Sequence, residues 1–272
     1  MTSDSARGRS AMQLLGKSTP STILLGLIAP LALVALWEYF AATQVISPIF
    51  FPPPSRLLEV GLQLAADGTL WLHIGTTLGR LAPAFVLGTF SGLVVGLVLG
   101  SSRFMRALWE PSLLALYSVP KIALLPIFLA IFGVGEGALV GLVTTSVFFY
   151  VWIYTMTAAM RTPENLLVTA RAFGASQFDV VTRVIFRSAL PETMSGVRVG
   201  GTVALLVCLT AEYVLGADGI GYLILGSRSL GQHAQSYLGI VIASITGLLL
   251  QLGVKKLDDL LNPGFKSAFK AL

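Results

Sequence analysis

Long uncharged runs alternate with short basic segments along this chain. Ser18–Trp37, Leu81–Ser102, Gly137–Met160 and Ser229–Val254 each pass without an Asp, Glu, Lys or Arg. A helix needs roughly 20 predominantly apolar residues to cross the hydrocarbon core of a bilayer. The pattern predicts about six spanning helices, over residues 22–42, 74–99, 112–132, 137–160, 193–215 and 235–256. The third is the least regular, because Pro120 and Pro126 interrupt it and Lys121 sits inside it. The fifth is marked by Gly196, Gly200, Gly201 and Ala204 as much as by hydropathy. Such small residues let helices approach closely in lipid.

Composition agrees with this pattern. Of 272 residues, 55% are hydrophobic and only 11% are charged, against about 25% charged in an ordinary soluble domain. Mean hydropathy is +0.82. A large soluble core helix would account for one such run but not for four. The fold class is therefore an all-α integral membrane protein. The first apolar span is long and lacks a small-residue cleavage site, which reads as a retained first helix rather than a signal peptide. Cys208 stands alone in an apolar stretch and reads as a buried, inert thiol with no disulfide or metal framework.

The basic residues orient the chain. With the N-terminus inside, the inner segments hold Arg7, Arg9, Lys17, Arg103, Arg106, Arg161, Arg171, Arg183, Arg187, Lys255, Lys256, Lys266 and Lys270, and the outer segments hold Arg56 and Arg228. By the positive-inside rule both termini are cytoplasmic. The formal net charge of +5 is thus a topology signal. The charges are scattered among loops and give no basic face for nucleic acid. The organisation expected is a cytoplasmic segment 1–21, a transmembrane region 22–256 and a cytoplasmic tail 257–272, with no separate soluble domain.

Between the first two spans, Pro52-Pro53-Pro54 stiffens an extended outer segment. Ser55 follows as an N-cap, and Leu57, Leu58, Gly61, Leu62 and Ala65 share one side of a short amphipathic helix over 56–66. A second polar insert, residues 162–191, divides two apolar spans. Thr162-Pro163-Glu164 starts a helix: Thr162 caps, Pro163 takes the first helical position and Glu164 meets the positive end of the dipole. Leu166, Leu167, Ala170 and Phe173 fall at helical spacing, Gly174 permits a sharp turn, and Ser176 caps a second helix. Pro191 restarts the chain before the next span. Shape alone leaves a simple amphipathic connector open beside a helix–turn–helix shelf at the membrane surface.

Ionisable groups inside a membrane are functional candidates by default. Lys121 lies where Pro120 breaks helix hydrogen bonding and backbone polar groups are free to line a cavity, with Ser118 just ahead. A cation there suits an anionic solute. Lys121, Pro120, Ser118, Arg80 and Glu212 are accordingly the translocation-pathway candidates. The alternatives are snorkelling or a structural pair with Glu212 for Lys121, snorkelling to the outer surface for Arg80, and capping or pairing for Glu212. His73 and His233 are isolated, so neither metal binding nor acid–base catalysis is expected. Asp218-Gly219-Ile220-Gly221 reads as a turn followed by a short helix, either part of an outer gate or a plain connector. No G-x-x-x-x-G-K-[ST] phosphate loop occurs in the chain. The glycines between Gly133 and Gly141 read as a turn with close packing.

The 162–191 insert resembles the loop by which permease subunits of ATP-binding-cassette importers hold their ATPase. That family's pattern is Glu-Ala-Ala, three residues, Gly, nine residues, then Ile-x-Leu-Pro. Gly174 takes the glycine place and Ala170 the last alanine. Val168, Thr169, Val184 and Phe186-Arg187 stand where the pattern has other residues, with Leu190-Pro191 shortly after. Thr77-Leu78-Gly79-Arg80, the run from Pro120 through Pro126 to Ile131-Phe132-Gly133-Val134-Gly135-Glu136, Ala211-Glu212-Tyr213 and Gly219–Ile224 are similar to the branch handling nitrate, sulfonates and taurine.

The resemblance implies a small importer-permease fold, a bacterial-type inner-membrane location and a pore without bond chemistry of its own. It implies a second permease copy, two ATPase subunits that carry ATP and Mg, and an external solute-binding protein. Glu164, Leu167, Ala170, Arg171, Phe173 and Gly174 would form the ATPase-coupling surface, with no catalytic or metal residues and no cofactor bound by this chain. The solute would be small and anionic. A gradient-driven secondary carrier would instead show internal repeats and paired mid-membrane acids. An intramembrane enzyme would show clustered His, Asp, Ser or Cys.

Overall fold

The computed structural model describes residues 20–215 and 218–262, with side chains described from Ile28 onward. The N-terminal basic residues and Lys266 and Lys270 lie outside the described residues. Regular structure among the described residues is helical throughout. Contacts divide the chain into two units, Met1–Leu62 and Gln63–Leu272.

In the first unit, α1 (Pro20–Ala42) coincides with the first predicted span. Its fully described part, Ile28–Ala42, is apolar but shorter than a bilayer crossing. The amphipathic helix α2 spans Pro54–Ala66 and starts earlier than expected. Ser55 is not its cap. The carboxylate of Glu38 takes that place, accepting from Ser55 N at 2.9 Å and Ser55 Oγ at 2.7 Å. An anionic group at a helix N-terminus meets the positive end of the dipole. The expected apolar stripe is also shifted: Leu57 and Val60 are buried, whereas Leu58 and Leu62 are exposed.

The second unit has four long helices, three of which pack most closely together. These are α3 (Thr69–Ser101), α6 (Glu136–Met160) and α8 (Gln177–Leu215), of 33, 25 and 39 residues. Helix α6 is central, with Trp152 and Val143, Val147 and Val151 fully buried. Its valines meet Leu81 and Ala84 of α3 and Leu190, Met194 and Val197 of α8 in the main core cluster.

The closest approach depends on a glycine rail in α3. Gly88, Gly92, Gly96 and Gly100 recur every fourth residue, so they lie on one helix face. An added Cβ would stand 2.6 Å from Val147 Cβ at Gly88, 2.9 Å from Val151 Cβ at Gly92, and 2.6 Å from Thr155 Cβ at Gly96. No side chain fits there, and the two backbones pack directly. Sequence reading drew attention to the small residues of α8 instead. Of these, Gly196 is also filled, 2.6 Å from Tyr154 Cβ, while Gly200 has ordinary room. The fourfold spacing in α3 was the available signal.

The third predicted span is not one straight helix. Helix α4 (Arg103–Tyr117) ends before Pro120, a tight turn covers Lys121–Leu124, and α5 (Leu125–Phe132) follows. The two arms meet at 96°. Ser102 caps α4 by accepting from Met105 N at 3.3 Å.

The polar insert forms the predicted shelf, with two differences. Helix α7 runs Glu164–Ala172 with Pro163, not Thr162, at the cap position, and Thr162 Oγ1 is buried without a partner. Gly174 has φ +81°, the left-handed conformation that favours glycine. Ser176 then caps α8, accepting from Asp179 N at 3.2 Å. Pro191 does not restart the chain. Helix α8 passes through it without interruption, after a wider π-type turn over Val180–Ile185. Packing against α6 and α3 holds the helix together where one backbone bond is missing. Helices α9 (Ile220–Ser229) and α10 (His233–Leu261) complete the unit.

Candidate functional site

The five translocation-pathway candidates separate into two places. Ser118, Pro120 and Lys121 line a cavity of about 520 Å³ at the break between α4 and α5, together with Tyr117, Tyr150 of α6 and Thr210 of α8. This is a usual volume for a small-molecule pocket. The ammonium of Lys121 does not pair with Glu212. It donates to the carbonyls of Leu116, Tyr117 and Val119 at 2.9, 2.8 and 2.9 Å. It also stands 4.3 Å from the ring centroid of Phe149, a cation–π distance. Three N–H groups meet three carbonyls at the end of the broken helix, of which that of Leu116 also accepts from Val119 N at 3.2 Å. Lys121 therefore ties off the end of α4 and brings one positive charge to the cavity wall.

Arg80 and Glu212 lie elsewhere, in a polar cluster where the starts of α3 and α6 meet the end of α8. Arg80 does not snorkel; it is 3% exposed and Glu212 is fully buried. The guanidinium holds the Glu136 carboxylate with two bonds, from Nε at 2.6 Å and Nη2 at 2.7 Å. Its Nη1 donates to Glu212 at 3.0 Å and to the backbone carbonyl of Asp218. Paired, planar contacts of this kind are what guanidinium supplies and an ammonium does not.

Glu212 also accepts from Thr77 Oγ1 at 2.8 Å and from Gly221 N at 2.9 Å. Thr77 Oγ1 in turn accepts from Ile220 N at 2.8 Å. His73 also joins this cluster: it is buried, and its Nδ1 accepts from Gly219 N at 3.0 Å. Three successive amides at the start of α9 are thus held by side chains of α3 and α8. Gly219 has φ +140°, so the expected turn before a short helix is present. Glu212 does pair, as one alternative held, but with Arg80.

Arg80 and Glu212 are shut away in this arrangement, while the Glu136 side chain is 65% exposed. Buried charges in it are paired, as burial demands. Its effect is mechanical: it joins α3, α6, α8 and α9 at one level. Sequence reading found Arg80 and Glu212 but not the parts played by Thr77, His73 and Glu136. No spacing rule connects residues that come from three helices and a loop.

On the opposite side, the shelf divides the expected coupling residues. Leu167 and Ala170 are half-buried and turn inward onto Ala158, Ala159, Val180, Ile185 and Ala189. Glu164, Arg171 and Gly174 are exposed. Phe173 is 88% exposed and Phe178 76%. Large aromatic rings left this open in a helix-turn-helix with exposed arginines form a surface suited to a protein partner.

Residues 84–267 match a family described as binding-protein-dependent transport system inner membrane component. The taurine transport system permease protein TauC of Escherichia coli (strain K12) is 30% identical over 247 residues, which cover 89% of each chain. The putative aliphatic sulfonates transport permease protein SsuC of Bacillus subtilis (strain 168) is 29% identical over 86% of this chain and 84% of that protein. The nitrate import permease protein NrtB of Synechocystis sp. is 24% identical over 87% of this chain and 88% of its own length. In fold, the chain is similar to a solved chain of the MetNI methionine ABC transporter in an inward-facing conformation. The TM-score is 0.63 at 20% identity, over 71% of this chain and 96% of that one.

Proposed function

The chain belongs to the family of binding-protein-dependent transport system inner membrane components, and we propose that two copies form a pore driven by separate ATPase subunits. It is a multi-pass permease subunit of an ATP-binding-cassette importer. Kinship with taurine, sulfonate and nitrate permeases supports a small anionic solute. It disfavours a gradient-driven carrier.

The observation that carries the coupling reading is the exposed shelf between α6 and α8. Glu164, Arg171, Phe173 and Gly174 face outward from it, and Leu167 and Ala170 anchor it to the long helices. In our reading the ATPases grip Phe173 and its neighbours from the cytoplasm. Their closure on ATP and Mg draws two shelves together. Helices α6 and α8 carry the movement outward as a rigid body, because the glycine rail and the outer polar cluster leave little slack. The solute, delivered by an external binding protein, passes the cavity at Ser118, Pro120 and Lys121. Both termini are cytoplasmic in this orientation, and the ends 1–21 and 257–272 flank the transmembrane region.

The test begins with gentle purification from the native membrane and identification of what accompanies the chain. A stoichiometric ATPase, lost on Phe173→Ala, is expected. Vesicles holding the complex should then take up taurine, a sulfonate or nitrate only with ATP and the binding protein. A preparation free of ATPase that moves these anions without ATP would overturn the reading.

A further inference from the structure

The cavity at the break between α4 and α5 has fewer open hydrogen-bond donors than its residue types suggest. An ammonium carries three N–H donors, and Lys121 places them on the carbonyls of Leu116, Tyr117 and Val119. Ser118 donates its hydroxyl to the carbonyl of Leu114 at 3.1 Å, and Thr210 donates to that of Leu206 at 2.8 Å. These are the bonds to the preceding turn that helical Ser and Thr commonly make. Pro120 has no N–H at all. Two polar side chains of the wall remain, Tyr117 and Tyr150.

Both tyrosines are half-buried, and they come from different elements. Tyr117 ends α4, where Lys121 holds its carbonyl at 2.8 Å. Tyr150 stands on α6 against Gly200 of α8. Their rings meet edge to face with centroids 5.7 Å apart, and Tyr150 is the hydrogen-bonding neighbour of Tyr117. In such a pair one O–H serves the other oxygen and the second stays available. Hydroxyl hydrogens rotate to suit an acceptor, and a bond to an anion is stronger than one between neutral groups. An entering anion therefore draws both. The rest of the wall limits what accompanies that anion. Val119, Ile122, Val203, Leu206 and Val207 are aliphatic, and no Asp or Glu is among the lining residues. An ammonium on the solute would meet Lys121 without a counter-charge, and an unpaired charge is costly to bury. A bare inorganic anion would exchange its water for a wall with few donors.

Building on the reading that the solute passes this cavity, we propose that Tyr117 and Tyr150 hold its anionic group through their hydroxyls. The cavity takes an organic anion with an apolar body and no ammonium. The aliphatic side chains cover that body, and Lys121 supplies its positive field without touching the solute.

The permease, purified with its ATPase and without binding protein, is titrated with butanesulfonate, its neutral analogue butanesulfonamide, and taurine. Binding is followed by saturation-transfer NMR. Wild type should bind butanesulfonate more tightly than either of the others. Tyr117→Phe combined with Tyr150→Phe should lower the preference for sulfonate over sulfonamide by about tenfold, the least that a hydrogen bond to a charged group contributes. Phenylalanine keeps both rings, so lost packing would weaken sulfonate and sulfonamide alike. An unchanged preference in the double variant overturns the proposal, as does an equal loss for both ligands, or taurine binding as tightly as butanesulfonate to wild type. Uptake into vesicles with ATP and the binding protein is measured in parallel. Where wild type takes up an anion and the preference is unchanged, the tyrosine contact alone falls. Where wild type takes up none of these anions, the solute path through this cavity falls with it.

Discussion

Replacing Glu212 by Ala tests the polar cluster around Arg80 most directly. The carboxylate accepts from Thr77 Oγ1, Arg80 Nη1 and Gly221 N. Breaking a buried ion pair from one side costs about 3–5 kcal/mol, because the remaining charge stays buried. Here Glu136 still holds Arg80 through Nε and Nη2, so the guanidinium keeps a counter-charge. The lower end, about 3 kcal/mol, is therefore expected. That is roughly a hundredfold in the folded-to-unfolded ratio. Glu212→Gln keeps the volume but loses charge-assisted bonding, worth about 1.5–3 kcal/mol. The assay is unfolding in mixed micelles at rising fractions of a denaturing detergent, followed by helical circular dichroism. Hydrogen exchange at Gly219, Ile220 and Gly221 supplies a local readout, since their amides end on this cluster. These amides should exchange faster in both variants than in wild type, ahead of the rest of the chain. If Glu212→Ala unfolds within about 0.5 kcal/mol of wild type, the range of an ordinary surface substitution, the cluster does not hold α3, α6, α8 and α9 together.

The glycine rail gives a second prediction. A Cβ at Gly92 would lie 2.9 Å from Val151 Cβ and 2.7 Å from the Phe148 carbonyl, so Gly92→Leu should destabilise by at least the about 1–3 kcal/mol typical of overpacking; a thermal midpoint equal to wild type would refute direct backbone packing. Gly174→Val meets no neighbour within 4 Å but forces a β-branched residue to φ +81°. That change should cost about 1–2 kcal/mol locally and lower uptake per ATP hydrolysed, and fully coupled transport would exclude a role for this turn. Lys121→Met removes the ammonium donor from the carbonyls of Leu116, Tyr117 and Val119, of which Leu116 keeps the Val119 amide. It should lower both thermal stability and anion uptake, and unchanged values of both would show that the cation neither ties off α4 nor draws the solute.

Sequence periodicity located the spans because the bilayer imposes their length and polarity locally. It also found the irregular third span, since Pro120 removes a backbone donor wherever it stands. It did not find the continuity of α8 through Pro191. A proline predicts a missing bond, but packing against α6 and α3 decides whether the helix survives the loss. The shelf was legible for the same local reasons: Gly174 and Ser176 act on their own backbone. Which of its residues face outward was not, because that depends on where α6 and the start of α8 come to rest.

The amino-acid sequence by itself determined an all-helical membrane protein and its family, both of which rest on order along the chain. Tertiary structure alone decided the partners of the buried charges. Arg80, Glu136 and Glu212 are separated by 56 and 132 residues from one another's bonds, and only the close approach of α3 to α6 and α8 brings them within reach. Charge is costly to bury unpaired, so the sequence required that Glu212 find a cation. It contained two candidates at plausible depth, and the packing gave Glu212 to Arg80 and left Lys121 to the carbonyls of a broken helix.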